Sequence, residues 1–195
     1  MNLQTPNKRL VCETVELHKY PNQDLFSILL YMKNSKITFE KKEDQITVKI
    51  IGEISATTEF PKLETVSDKS KILLLLDEAG YVNSSGIQGW IRWLQEIQKL
   101  APNAKFMIQM LPANFAKLSS NIRDFFPKQS KVESFVAPYF CEKCNTSFNV
   151  IFKKGSNWQS EWTGAELVQK ISTAACTCCG TTAEIDTPVE AYQNF

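Results

Sequence analysis

The chain has 195 residues, of which 43% are hydrophobic and 22% charged, with 22 lysines and arginines against 21 aspartates and glutamates. That near-neutral balance excludes a global field drawing the protein onto nucleic acid or an anionic membrane. The apolar content suffices for one medium domain plus a small one.

The polar start Met1-Asn2-Leu3-Gln4-Thr5-Pro6 lacks a signal peptide's apolar segment, and the run Ile72-Leu73-Leu74-Leu75-Leu76 is too short to span a bilayer. The sequence therefore reads as a soluble, cytoplasmic protein with no membrane partner. Residues 1–36 form an N-terminal extension of open role, carrying the single histidine, His18, and an apolar stretch, Leu25 to Met32, with the look of a short helix. His18 has no placed partner and reads as a surface residue, and Cys12 as a small apolar one.

Regular patterning begins at Ile37. Ile46 to Gly52 alternates as a strand ending at a glycine, and Thr57 or Thr58 then caps an expected short helix with Phe60, Leu63 and Val66 on its apolar face. Ile72 to Leu76, unbroken, predicts a strand buried on both faces. The segment Gly80 to Gly86 reads as a turn, followed by an amphipathic helix from about Ile87 to Leu100. Ile87, Trp90, Ile91, Leu94 and Ile97 share its apolar face, Gln88, Arg92, Gln95 and Lys99 lie opposite, and Trp93 falls at the edge. Lys105 to Met110 is a further strand. Phe115, Leu118, Ile122 and Phe126 mark a helix started by Pro112, and a strand near Val132 to Val136 closes the region before a boundary at Pro138. Residues 37–137 thus form an α/β domain, an open sheet with flanking helices.

The buried strand, the turn Val82-Asn83-Ser84-Ser85-Gly86-Ile87 and the helix after it resemble the STAS family, shared by sulfate transporters and bacterial anti-sigma-factor antagonists. The resemblance covers roughly residues 39–137. It implies a protein-docking module whose first turn hydroxyl, Ser84 by position, is phosphorylated by a partner serine kinase that is also the anti-sigma factor. Two departures stand out: Asn83 replaces the family's usual aspartate, and Leu75 meets its usual acidic strand residue, Asp77 coming two positions later. A phosphate at a helix N-terminus also gains physically from free amides and the dipole. The same Asn, Ser and Ser serve equally as plain capping residues, with Gly86 allowing a tight turn.

Residues 138–195 carry two knuckles, Cys141-Glu142-Lys143-Cys144 and Cys176-Thr177-Cys178-Cys179. Two Cys-x-x-Cys pairs supply four thiolates to one ion and close a tetrahedral site, which predicts a structural Zn2+ rather than a catalytic one. Cys178 competes as a ligand, but the Cys-x-x-Cys-Gly frame favours the outer pair. Ser147 to Phe152 reads as a returning strand, and Trp158 with Trp162 through Ile171 as apolar cover. The segment after Cys179 resembles the second hairpin of a zinc ribbon. A redox dithiol and disulfides are the alternatives.

Two functions follow. The first is a non-enzymatic interaction protein docking a partner through Asn83, Ser84, Ser85, Gln88, Arg92 and Trp93, with Gln95 and Glu96 extending that exposed surface. The second is a zinc-ribbon nucleic-acid binder using Lys143, Lys153, Lys154 and Lys170 with Trp158, a patch countered by Glu142, Glu161, Glu166, Glu184, Asp186 and Glu190. An enzyme is not indicated, since no phosphate-cradling glycine loop occurs and Ser84 lacks a base.

Overall fold

The computed structural model describes residues 35–63, 66–159, 161–162 and 164–193. His18, Cys12 and the helix expected at Leu25 to Met32 lie outside them. The first sheet opens with an antiparallel hairpin, β1 (Lys36–Lys42) and β2 (Gln45–Ile54), and continues in parallel through β3 (Lys71–Val82), β4 (Lys105–Gln109) and β5 (Lys131–Val132), in the order β1-β2-β3-β4-β5. Helix α1 (Ser84–Leu100) connects β3 to β4, and α2 (Ala113–Asn121) leads from β4 toward β5.

Strand periodicity decides where the core lies. Ile46, Val48 and Ile50 of β2, Ile72, Leu74 and Leu76 of β3, and Phe106 and Ile108 of β4 all point to one buried face. Leu73 and Leu75 are only half-buried, so β3 is covered fully on one side, not both as the unbroken leucine run suggests. Trp90, Leu94 and Ile97 of α1 fill the covered side, and α2 joins them through Phe115, whose ring meets Trp90 edge-on at 6.0 Å. The buried Trp90 indole donates its N–H to the Phe125 carbonyl at 2.9 Å, satisfying the one polar atom that so large a core residue carries.

Three expectations change at element boundaries. β3 runs on to Val82, so Gly80 and Tyr81 are strand, and α1 begins at Ser84, three residues before Ile87. Gly86 is thus inside the helix, and its glycine identity answers a close approach: a Cβ there would lie 2.2 Å from the Ile54 carbonyl oxygen. Among the described residues between Ile54 and Lys71 there is no helix. Ser55 and Thr58 instead bond each other reciprocally, Ser55 N–H to Thr58 Oγ1 at 2.8 Å and Thr58 N–H to the Ser55 carbonyl at 3.1 Å, and Pro61 holds the residue before it away from helical geometry. Phe60 and Leu63 reach the core all the same. Helix α2 stops at Asn121, short of Phe126, which still packs edge-on against Trp90.

At Glu133 the chain changes sheets. The Glu133 N–H bonds the Ile108 carbonyl in the first sheet, and the next residue opens β6 (Ser134–Cys141), which pairs antiparallel with β7 (Thr146–Lys153). After α3 (Gly164–Ile171), β8 (Thr173–Ala175) and β9 (Thr182–Ile185) complete a four-stranded sheet ordered β7-β6-β9-β8, and a 3-10 helix follows at Val189–Tyr192. Leu111, just past β4, donates to the Ser134 carbonyl at 3.0 Å and accepts from Val136 N–H at 2.8 Å, so the two sheets are stitched backbone to backbone.

Pro138, the expected boundary, lies inside β6, and the buried side chains on either side of it form one continuous core. Its missing N–H disrupts no ladder, because β9 ends at Ile185 and Pro138 contributes only its carbonyl, to Asp186 N–H at 2.8 Å. Phe135 centres this half, stacked on Phe152 at 4.9 Å and met by Trp158 at 5.3 Å and Tyr192 at 4.9 Å. On the edge of β7 that no other strand pairs among the described residues, the Asn157 carboxamide accepts from Lys153 N–H and donates to the Ile151 carbonyl, both at 2.8 Å. No helix among the described residues is long and apolar enough to cross a membrane.

Candidate metal centre

The turns of two antiparallel hairpins carry the cysteines. Cys141 closes β6 and Cys144 precedes β7, while Cys176 follows β8 and Cys179 precedes β9. Each second cysteine is followed by a residue of left-handed backbone, Asn145 at φ 52° and Gly180 at φ 71°, a region that glycine and asparagine enter most readily. The reversal folds each knuckle back on itself. Gly180 N–H bonds the Cys176 carbonyl at 2.9 Å, and Cys178 N–H points at Cys176 Sγ at 3.4 Å.

All four sulfurs of Cys141, Cys144, Cys176 and Cys179 lie within 4.8 Å of one another. Three of the separations are 3.6 Å (Cys141 to Cys179), 3.5 Å (Cys144 to Cys176) and 3.8 Å (Cys144 to Cys179). A regular tetrahedron with such edges has its centre about 2.1–2.3 Å from each corner, against a zinc–thiolate bond of ~2.3 Å. A disulfide needs ~2.05 Å between sulfurs, and all five described cysteines are free. The residues present therefore fit a single four-coordinate ion, with Cys141 and Cys176 buried and Cys144 and Cys179 half-buried. Cys178, half-buried, is not among the four.

Thr181, which sequence reasoning passes over, shapes the electrostatics. Its hydroxyl lies 3.0 Å from Cys179 Sγ and 3.5 Å from Cys141 Sγ. That hydroxyl, helped by the Cys144 backbone N–H, draws the Cys141 thiol down to about 6, and it lowers Cys179 in the same direction. The Thr146 hydroxyl favours the Cys144 thiolate, but burial and the three neighbouring sulfurs outweigh it and push Cys144 up to about 12. Four thiolates cannot share this space without a cation to neutralise them. Behind the site, burial raises the Tyr139 phenol to about 12 while its hydroxyl donates to the Ile171 carbonyl, holding α3 over the hairpins.

The other expected site residues gather at the start of α1. Asn83 is the N-cap, its Oδ1 accepting from Gly86 N–H at 2.8 Å, so the capping expectation is met in geometry. Ser84, Ser85, Gln88, Arg92, Gln95 and Glu96 are exposed. Trp93 is not part of that outer face: at 5% exposure it stacks on Phe60 at 5.5 Å and donates its indole N–H to the Pro61 carbonyl at 2.8 Å. The segment 60–63, which the sequence pattern takes for helix, is what covers it. Beside it runs a groove of about 580 Å3 between that segment and the Gly89 to Leu100 side of α1. Asp77 is exposed and Leu75 half-buried.

The lysine patch considered for nucleic acid loses its aromatic platform, because Trp158 is 2% exposed with Lys154 lying over its ring at 5.8 Å. A scan against protein-family models returns no match to this chain, and neither does a search of curated proteins.

Proposed function

We propose that this is a non-enzymatic regulatory protein: a STAS-like α/β core that docks a protein partner through the N-terminal end of α1, stiffened by a structural zinc ion held by Cys141, Cys144, Cys176 and Cys179. The observation that carries the reading is Ser84. It is exposed in the first turn of α1, next to the Asn83 cap, with Ser85, Gln88 and Arg92 exposed beside it. Amides of a helix's first turn have no partner inside the helix, so a phosphate on Ser84 meets donors and the positive dipole end. It would add about −1.5 to −2 charge to the docking face. A partner of the serine-kinase, anti-sigma type, as the STAS resemblance implies, both writes and reads such a mark.

The thiolate-only ligand set is what favours zinc, and closure on all four sides favours a structural role. The partner test compares wild type, Ser84→Ala and Ser84→Asp as baits. A specific partner kept by alanine and lost with aspartate is expected, and equal capture by all three would sink the regulatory role. The nucleic-acid alternative predicts salt-sensitive oligonucleotide binding, and the burial of Trp158 counts against it.

A further inference from the structure

We infer that Thr181 is a positioning residue that clamps the two knuckles to each other and sets how tightly the centre holds its metal. This rests on the reading that the four cysteines bind an ion. A metal-bound thiolate has no proton to give, so the contacts at 3.0 Å to Cys179 Sγ and 3.5 Å to Cys141 Sγ are made by the Thr181 hydroxyl as donor. Those sulfurs come from different hairpins, so one O–H is shared across the gap that the ion must bridge.

The hydroxyl is itself held in place. The Thr181 carbonyl accepts from Cys176 N–H at 2.7 Å, which ties the residue back to the first cysteine of its own knuckle, and Ala175 and Thr182 pair immediately beside it in the β8–β9 ladder. Four thiolates around a divalent ion carry a surplus of two negative charges. A donor aimed at two of them spreads that surplus and fixes the sulfur lone pairs, the task that outer hydrogen-bond partners perform in metal sites. Valine matches threonine in shape and lacks only the donor, which makes it the probing substitution.

The test uses the full chain as wild type, Thr181→Val and Thr181→Ser, titrated with Co2+ for the sulfur-to-metal charge-transfer band and with Zn2+ against a competing chelator. Thr181→Val should lose roughly 10–100-fold in zinc affinity. Its charge-transfer band should move to lower energy as the thiolates lose their donor, whereas Thr181→Ser should match wild type in both respects. A valine variant with wild-type affinity and spectrum overturns the inference. So does equal weakening of the two variants: serine keeps the donor and valine the methyl, so the effect would belong to the overall fit of the side chain and not to the hydroxyl. A wild-type chain that binds neither metal overturns the underlying metal reading and the inference with it, and is told apart because no variant comparison is needed to see it.

Discussion

Gly86 and the four sulfurs show how much hangs on single positions. With the Ile54 carbonyl oxygen 2.2 Å from where a Cβ would stand, Gly86→Ala forces the start of α1 away from the end of β2. The loss should be about 1–3 kcal/mol, as for other overpacked sites, read from urea unfolding midpoints, even though alanine is the better helix former. At the metal centre the relevant quantity is protons displaced. Cys141, drawn down to about 6, is already a thiolate at neutral pH and must be deprotonated by the metal only below that value, whereas Cys144 near 12 gives up a proton throughout. Apparent zinc affinity should therefore fall more steeply with acidity below pH 6 than above it, by about one further power of ten per pH unit. Chelator competition at several pH values from 5 to 8 checks the change of slope. A constant slope would mean that Thr181 does not hold Cys141 as a thiolate.

Among the elements, those with a short repeating signature are legible in the sequence. The period of α1, the alternation of β2 and both Cys-x-x-Cys pairs announce themselves, and even the left-handed reversal after each second cysteine is readable from Gly180 and, less plainly, Asn145. What escapes is set by tertiary context. Phe60, Leu63 and Val66 stand at helical spacing, yet Pro61 and the Ser55–Thr58 bonds hold residues 57–63 in loop conformation, and that loop is what buries Trp93. The leucine run of β3 looks two-sided because Leu73 and Leu75 are apolar, although their half-buried state follows from which face the helices occupy. Thr181 leaves no sequence signal at all. Its importance comes from joining the sulfur two residues before it to one 40 residues earlier in the chain.

For the whole molecule, the continuous core and the Leu111 stitch across Glu133 predict that the cysteine hairpins do not melt as a separate tail. Protein purified without added metal should hold one zinc per chain. Its thermal unfolding, followed by near-ultraviolet circular dichroism of both halves' aromatic residues, should be a single transition that moves down as a unit when a strong chelator is added. Two separate transitions would show the halves to be independent, and visible iron–sulfur absorption in place of zinc would recast the centre as redox-active. The edge of β7 carries a different kind of consequence. By occupying the Ile151 carbonyl and the Lys153 amide, the Asn157 side chain plays the part of a neighbouring strand and denies those groups to another molecule. Asn157→Ala would strip that guard beside the exposed Ile151 and leave an edge along which a second copy can lay its own β7 side by side. A rise in the mass of the alanine variant toward that of a dimer on concentration, beyond any rise in the wild type, is the expected sign that this one carboxamide guards the edge against self-pairing.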